Sequence, residues 1–159
     1  PFLNKKYLSY VDFSNALFTE LLPKDKINEA YKKYVFELGS CYFENLGNNT
    51  FKKHLLPFKT QVSSVNDIAL EDFNNDGFMD ALLVGNNYNI NTQLGKLDAS
   101  HGLILLNDKN GFFNESLNQD FNIFGEARNI EKLKIKEDLF YVISVNNDVP
   151  IFIKVNKWE

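Results

Sequence analysis

The hydrophobic positions of this chain fall in short apolar runs that are separated by segments rich in Asn and Gly. Runs of this length, bounded by such turn-forming residues, are typical of β-strands. We predict that three of them, VNDIALE, DALLVGN and GLILLN (residues 65–71, 80–86 and 102–107), lie in one antiparallel sheet. The segment GFFNE (residues 111–115) is predicted to pair with GLILLN as a hairpin at the edge of that sheet.

Residues 1–40 have a different pattern, because one stretch of them carries apolar side chains at helical spacing. We predict one helix over residues 26–38, packed on the adjacent sheet, with Asp25 as its N-cap and Gly39 at its C-terminal end. The residues on the apolar face of this helix are Ile27, Ala30, Tyr31, Tyr34 and Val35.

The later part of the chain contains an internal repeat, which is weak in residue identity but constant in order. Its unit reads strand, loop, strand, connection, strand, Asn-rich turn, strand. The second copy lacks the acidic loop of the first and an insertion at residues 88–101. The paired segments are FENLGNNTF (43–51) with LLNDKNGFF (105–113), VNDI (65–68) with ARNI (127–130), ALLVGNN (81–87) with YVISVNN (141–147), and LILLN (103–107) with FIKVN (152–156).

Units of four short antiparallel strands are typical of propeller blades. We therefore predict a mainly β fold made of about two and a half such blades, with the single N-terminal helix before them. The predicted divisions are the C-terminal hairpin of a first blade (residues 41–62), a complete blade (residues 63–120) and a second, degenerate blade (residues 121–159). Since a closed propeller has at least about four blades, the chain is predicted to pack against further blades of a longer parent chain.

Residues 72–80, DFNNDGFMD, place oxygen-bearing side chains at alternate positions and then a glycine. Carboxylates this close together repel one another unless a cation lies between them, and calcium takes about six to eight oxygen ligands. Gly77 allows the sharp turn that folds the loop around one ion. The predicted ligands are the side chains of Asp72, Asn74 and Asp76, the backbone carbonyl of Phe78, both carboxylate oxygens of Asp80, and a water.

This loop begins like an EF-hand but does not continue like one. Its twelfth position is Leu83, so the bidentate glutamate of an EF-hand is absent, and the flanking segments are predicted strands rather than helices. Asp80 is predicted to take the place of that glutamate. The alternative is an acidic turn that binds no metal.

Charge and composition narrow the range of partners. A net charge of −4, a pI near 5.2 and the lack of a basic aromatic stripe argue against nucleic acid. No apolar run in the sequence is long enough to cross a bilayer. The single Cys41 cannot form an intrachain disulfide. The chain begins at Pro1, with Met79 as its one methionine, so we expect a piece of a longer protein.

The acidic loop and its two flanking strands, DIALEDFNNDGFMDALLVGN (residues 67–86), resemble the FG-GAP/VCBS repeat. This repeat is the calcium-binding blade of integrin α-subunit propellers and of many bacterial surface proteins. Residues 42–130 are also similar to the C-terminal region of large bacterial FG-GAP/VCBS proteins. There, ENLGNNTF, GNNYNINTQLGKLDASHG and GEARNI match an ENxGxGTF-like hairpin, a GNxY…R-x-DAS-x-G segment and a GEVRDI motif. The chain departs from that pattern at Lys96, Ala127 and Asn129.

The resemblance implies a calcium-stabilised, non-enzymatic module of a bacterial cell-surface or secreted protein, which binds a protein or carbohydrate ligand in adhesion. Calcium in this family is usually structural, so no catalytic residue is expected. We expect Asp98 to cap a turn or pair with Arg128 rather than bind the metal. His54 and His101 are expected on strands or at the surface, without a catalytic role.

Two other functions stay open. A propeller fragment of a polysaccharide-active enzyme would need a cleft with paired carboxylates or a Lys/Arg/His cluster, and the acidic residues outside the loop are scattered. The other is a protein-binding module whose insertion, residues 88–101, forms the binding surface, since loops on rigid scaffolds commonly carry recognition.

Overall fold

The structure is a computed structural model that describes residues 2–116 and 121–154, and for Phe2 and Asn4 the backbone only. The chain divides into two compact units, Pro1–Leu38 and Gly39–Glu159. Part of the predicted degenerate blade, residues 155–159, lies outside the described residues, as do residues 117–120. No helix in the described ranges is long and apolar enough to cross a membrane.

The first unit holds several short helices, so the prediction of a single helix over residues 26–38 is wrong. The last helix ends at Glu29, and its C-cap, Ala30, has an extended ψ of 137° that turns the chain out of the helix. Tyr31 and Val35 then lie in an irregular, exposed stretch. The aromatic and β-branched residues of that stretch have low helix propensity, so nothing local extends the last helix. The helices are α1 (Phe2–Lys6), α2 (Tyr10–Asn15), α3 (Phe18–Leu21) and α4 (Lys24–Glu29).

The helix caps also differ from those expected. Pro23, rather than Asp25, is the N-cap of α4, and Asp25 lies in its first turn, where a negative charge favours the helix dipole. The clearest cap belongs to α2, where the Ser9 hydroxyl accepts a hydrogen bond from the backbone N–H of Asp12 at 3.1 Å. The predicted packing of this segment on the sheet stays a prediction.

The described residues of the second unit form three antiparallel sheets of two, four and three strands, which confirms the mainly β prediction. The four-stranded sheet has the predicted order β3-β4-β5-β6. Within the described residues the sheets do not close into a barrel or a propeller. The strands are β1 (Cys41–Gly47), β2 (Thr50–Leu55), β3 (Val65–Glu71), β4 (Asp80–Gly85), β5 (Leu103–Asn107), β6 (Phe113–Glu115), β7 (Ala127–Ile135), β8 (Asp138–Val145) and β9 (Ile151–Lys154), with a 3-10 helix at Phe58–Gln61.

The four-stranded sheet lies at the centre of the apolar core, because both of its faces are covered. All six residues of β4 are buried. Leu82 and Val84 point to one face and pack in a cluster with Tyr141 of the three-stranded sheet. Ala81 and Leu83 point to the other face and pack in a second, smaller cluster. A strand buried on both faces reads as a continuous apolar run, as DALLVG does.

Polar contacts also join the four-stranded and three-stranded sheets. Asp67 Oδ2 accepts hydrogen bonds from the Asn129 side-chain amide and from the Ile130 backbone N–H, both at 2.8 Å. Further along β3, the Tyr141 hydroxyl lies 3.4 Å from Glu71 Oε2. Burial and the nearby Glu71 carboxylate raise the pKa of Tyr141 to about 12. Together these contacts fix the register of one sheet against the next.

We expect Asp67→Ala to lower the free energy of unfolding by about 1–2 kcal/mol, because it leaves the Ile130 N–H and the Asn129 amide without their acceptor. Asn129→Ala removes only one of the two bonds and is expected to cost less. Urea denaturation of both variants measures the difference. Equal losses in the two variants would contradict this account.

The internal repeat has a geometric counterpart in the strand pairs. Asn45 lies opposite Phe51 in β1–β2, and Asn107 lies opposite Phe113 in β5–β6. The alignment of LILLN with FIKVN needs a correction of one residue. The pairing of the strands makes Phe152 the counterpart of Ile104, rather than of Leu103, because sheet register decides which face a side chain occupies.

Candidate metal centre

The acidic loop connects the end of β3 to the start of β4, between two strands as predicted. Its backbone reverses direction through two residues with positive φ, Asn75 at 56° and Gly77 at 89°. Glycine adopts this conformation without steric cost, and asparagine is the next most tolerant residue. The sequence of the loop therefore supplies the two residues that its turn requires.

Three of the predicted ligands are drawn together by backbone hydrogen bonds inside the loop. The N–H of Asp76 donates to Asp72 Oδ1 at 3.0 Å and to Asn74 Oδ1 at 3.1 Å. The N–H of Gly77 donates to Asp72 Oδ2 at 2.8 Å. The side-chain oxygens of Asp72 and Asn74 therefore lie side by side, which is the arrangement a shared cation requires.

Asp76 is held by neutral donors and by one cation. Its Oδ1 accepts from the Phe78 N–H at 2.9 Å, and its Oδ2 lies 3.2 Å from the Asn74 amide nitrogen. The Lys109 amino group lies 3.3 Å from the same Oδ2 and 5.4 Å from the centre of the Phe78 ring. Burial raises the pKa of Asp76, but the Phe78 N–H, Lys109 and Asn74 lower it more, so the pKa is below its ordinary value.

Asp80 lies at the base of the loop and is completely buried. Its Oδ2 accepts from the Phe73 N–H at 3.0 Å, and its Oδ1 accepts from the Asn107 N–H at 2.8 Å. One carboxylate therefore connects the acidic loop to β5, the strand on the far side of β4. A buried carboxylate without such donors would strongly destabilise the fold.

The donor set of this loop fits calcium in kind. Each carboxylate oxygen has about two lone-pair sites, so one N–H bond per oxygen at Asp72 and Asp80 still leaves sites for a cation. In the described parts of the chain, no group of three or more His, Cys, Asp or Glu side chains converges as a metal-binding cluster. The metal-ligand roles of Asp72, Asn74, Asp76, the Phe78 carbonyl and both oxygens of Asp80 stay predictions.

Two residues of this site were not expected from the sequence. Asn107 and Lys109 come from β5 and the turn after it, well separated in sequence from the loop. Their positions follow from the pairing of β4 with β5, which places the end of β5 beside the start of β4. The hairpin predicted at GLILLN and GFFNE is the one sequence signal that could have found them.

A second buried carboxylate organises the long insertion. Glu126 is completely buried, and its Oε1 accepts from the Tyr88 N–H at 2.9 Å and pairs with Arg128 at 2.8 Å. Its Oε2 accepts from the Asn146 amide at 2.6 Å. The Tyr88 N–H lowers the pKa of Glu126; burial opposes this shift, and Asn146 and Arg128 add to it. Arg128 therefore pairs with Glu126, and Asp98 is exposed.

Both histidines lie where they were expected, but His54 has a partner that the sequence did not suggest. His54 lies in β2, is buried, and has its Nε2 2.9 Å from Glu44 Oε2. Its ring stacks on Tyr42, with the centroids 4.8 Å apart. Burial raises the pKa of Tyr42, and the Glu44 carboxylate adds to the shift. His101 is exposed and its ring contacts that of Phe124.

No family model, curated protein sequence or solved structure matches this chain.

Proposed function

We propose that the chain is a calcium-stabilised, non-enzymatic repeat module of a larger bacterial protein, secreted or held at the cell surface, where it takes part in adhesion or ligand binding. The observation that carries the calcium proposal is Asp80. It is a completely buried carboxylate at the base of an acidic loop, and among the described residues its hydrogen bonds come from backbone N–H groups rather than from a cationic side chain. Buried charges in proteins are paired or bound to metals.

The composition of the loop favours calcium over other cations. Its donors are carboxylate, amide and carbonyl oxygens, which are the hard ligands that calcium takes in flexible sevenfold or similar arrangements. Magnesium requires near-octahedral geometry and loses its waters reluctantly, so it should bind less tightly. In this proposal calcium stabilises the loop and the two strands that the loop joins, and the module catalyses no reaction.

Lys109 supports the proposal because it already places one positive charge against Asp76. Its side chain is 52% exposed, so it is free to move into solvent when a divalent cation arrives. An exposed ion pair contributes little stability. We propose that Lys109 and calcium compete for the same carboxylate.

The exposed face of the three-stranded sheet supports a place within a longer propeller. In the central sheet, Ile104 lies opposite Leu82 and both are buried under the next sheet. The corresponding pair in the three-stranded sheet is Phe152 opposite Val142, and Phe152 is 57% exposed. We propose that a further blade of the parent chain covers this face, as the three-stranded sheet covers the central one.

The hydrogen bonds around the two buried carboxylates, Asp80 and Glu126, favour a structural role over catalysis. The oxygens of Asp80 and Glu126, both completely buried, are hydrogen-bonded to backbone N–H groups and side chains of the same fold. Groups satisfied in this way hold strands and loops in place. The ligand of the module is a protein or a carbohydrate, with the insertion at residues 88–101 as the proposed contact surface.

Calcium at about one hundred times its Kd is expected to raise the free energy of unfolding by about 2.7 kcal/mol. Thermal melting with calcium, with magnesium and with chelator measures the effect. Asp80→Ala should lose the calcium response, and Lys109→Met should bind calcium more tightly because the competing charge is gone. Asp98→Ala, which removes an exposed carboxylate outside the loop, serves as the matched control and should respond like the parent. If the melting temperature of the parent protein is the same in calcium and in chelator, the proposal is overturned.

A further inference from the structure

The two hairpins of the repeat share their geometry in detail. Asn45 opposite Phe51 in β1–β2 corresponds to Asn107 opposite Phe113 in β5–β6. In each hairpin the asparagine Oδ1 accepts a hydrogen bond at 2.9 Å from the backbone N–H two residues later, that of Gly47 or Lys109. The hairpin β1–β2 is therefore the structural counterpart of β5–β6.

In the hairpin β5–β6, the first strand, β5, is paired on both of its sides. On one side β5 pairs with β6, and on the other side it pairs with β4, with Leu105 opposite Ala81. Hydrogen bonds along an antiparallel strand alternate between the two neighbours. Ser116 N–H donates to the Ile104 carbonyl, so Ile104 and Leu106 bond to β6, whereas Leu105 and Asn107 direct their backbone groups towards β4.

The first strand of β1–β2 has a neighbour on one side only. Within the described residues β1 pairs with β2 and no other strand. The Leu56 N–H donates to the Ser40 carbonyl, so by the same alternation Tyr42 and Glu44 bond to β2. The backbone N–H and C=O groups of Phe43 and Asn45 consequently point away from β2, and both side chains are exposed.

We propose that the open edge of β1 binds an added β-strand, supplied by a further repeat of the same kind. The strand takes the place that β4 holds beside β5 and runs antiparallel to β1. In the proposed register, the residue of the added strand that corresponds to Ala81 lies opposite Phe43, as Ala81 lies opposite Leu105. Unpaired strand edges are sites at which extended segments add, with backbone hydrogen bonds providing the affinity.

The four-stranded sheet also indicates which residue can begin the added strand. Asn107 N–H is accepted by Asp80 Oδ1 at 2.8 Å, and Asp80 is the last residue of the acidic loop. The equivalent donor in the hairpin β1–β2 is the Asn45 N–H. An added strand that begins with an aspartate, as β4 does, can therefore place that carboxylate where it accepts from the Asn45 N–H.

A second copy of this chain does not offer such a strand. The strands of this kind in the described residues are β4 and its counterpart β8, and each is already bonded to a strand on both sides. The inference rests on the proposed function in one respect, namely that further repeats exist in the parent protein. The pairing itself depends on the open edge and not on calcium.

The probe is a synthetic peptide with the sequence of residues 65–85, which contains β3, the acidic loop and β4. Titrating it into the full chain, with calcium and separately with chelator, is expected to slow hydrogen exchange at the Phe43 and Asn45 amides. Phe43→Pro removes an N–H on the open side without touching a bond to β2, and should weaken binding about tenfold or more. Phe43→Ala keeps the N–H and should bind more tightly than the proline variant.

The peptide provides a second arm that does not depend on how well a variant folds. Methylation of the peptide nitrogens corresponding to Ala81 and Leu83, which face β5 in the protein, should abolish binding, whereas methylation at Leu82, whose N–H faces β3, should weaken binding less. Slow exchange at Phe43 and Asn45 that depends on the concentration of the protein alone would show self-association and overturn the inference. Equal binding by both methylated peptides, or by Phe43→Pro and Phe43→Ala, would also overturn it. Binding in chelator with no calcium effect on melting would sustain this inference and refute the calcium proposal.

Discussion

Asp80→Ala is expected to lower the free energy of unfolding by about 3–5 kcal/mol in calcium-free buffer, which is a large part of the stability of an ordinary domain. The substitution leaves the N–H groups of Phe73 and Asn107 without acceptors inside the fold. It also empties the volume of a completely buried side chain between the loop and β5. Both losses occur in the described structure without any metal, so chelator isolates them from calcium binding.

Asp80→Asn is expected to recover only part of this loss. An amide presents one acceptor and one donor, so its NH₂ group would face a backbone N–H on one side. Asp138→Ala is the matched control, because Asp138 also begins a strand but forms an exposed ion pair with Lys154. Such pairs contribute about 0–1 kcal/mol. Urea denaturation of the three variants measures the order, and a loss at Asp80 no larger than that at Asp138 would contradict the role of the buried carboxylate.

The parts of the fold that the sequence predicts are those governed by local pattern. VNDIALE, DALLVGN and GLILLN have apolar runs of strand length, and Asn or Gly at their ends, so their places in one sheet follow from propensity and turn chemistry. The acidic loop is also local, because Asn75 and Gly77 supply its two positive φ angles. The N-terminal segment is the opposite case. The apolar stripe of residues 26–38 satisfies helical spacing, but spacing alone does not stabilise a helix.

The contacts that the sequence pattern did not predict depend on which strands pair in the sheets. His54 meets Glu44 because β1 and β2 pair, and Lys109 meets Asp76 because β5 lies beside β4. The internal repeat shows which strands of the two copies are equivalent, but it does not determine their register. Strand pairing makes Phe152 the counterpart of Ile104, one residue away from the position that residue similarity gives it.

The contacts of Glu126 give the GEARNI segment a structural role. GEARNI places a carboxylate where it accepts from the Tyr88 N–H, at the start of the long insertion, and from Asn146, after β8. Asn86, also buried, adds to the same region by donating to the carbonyls of Ser100 and Gly125 at 2.8 Å. These side chains tie both ends of the insertion to the sheets, so its shape depends on groups outside it.

Glu126→Gln is expected to lower the melting temperature by roughly 10 °C and to speed hydrogen exchange at the Tyr88 amide. Glutamine cannot accept at both ends of its amide, so either Tyr88 or Asn146 would face a second donor, and Arg128 would lose its partner. Glu131→Gln, which changes an exposed glutamate in β7, is the matched control and should leave both readouts unchanged.

The pH dependence separates the charge of Glu126 from its shape. The Tyr88 N–H, opposed by burial and aided by Asn146 and Arg128, holds the folded-state pKa of Glu126 below its ordinary value of 4.5. A lowered pKa means that the folded state stabilises the ionised form. The contribution is complete above pH 4.5 and is lost as the pH falls through the folded-state pKa. The gap in melting temperature between the parent and Glu126→Gln should therefore be widest near neutral pH and narrow below pH 4.5. A gap that stays constant from neutral to acidic pH would mean that glutamine fails by its shape alone and that the carboxylate charge does not hold the insertion.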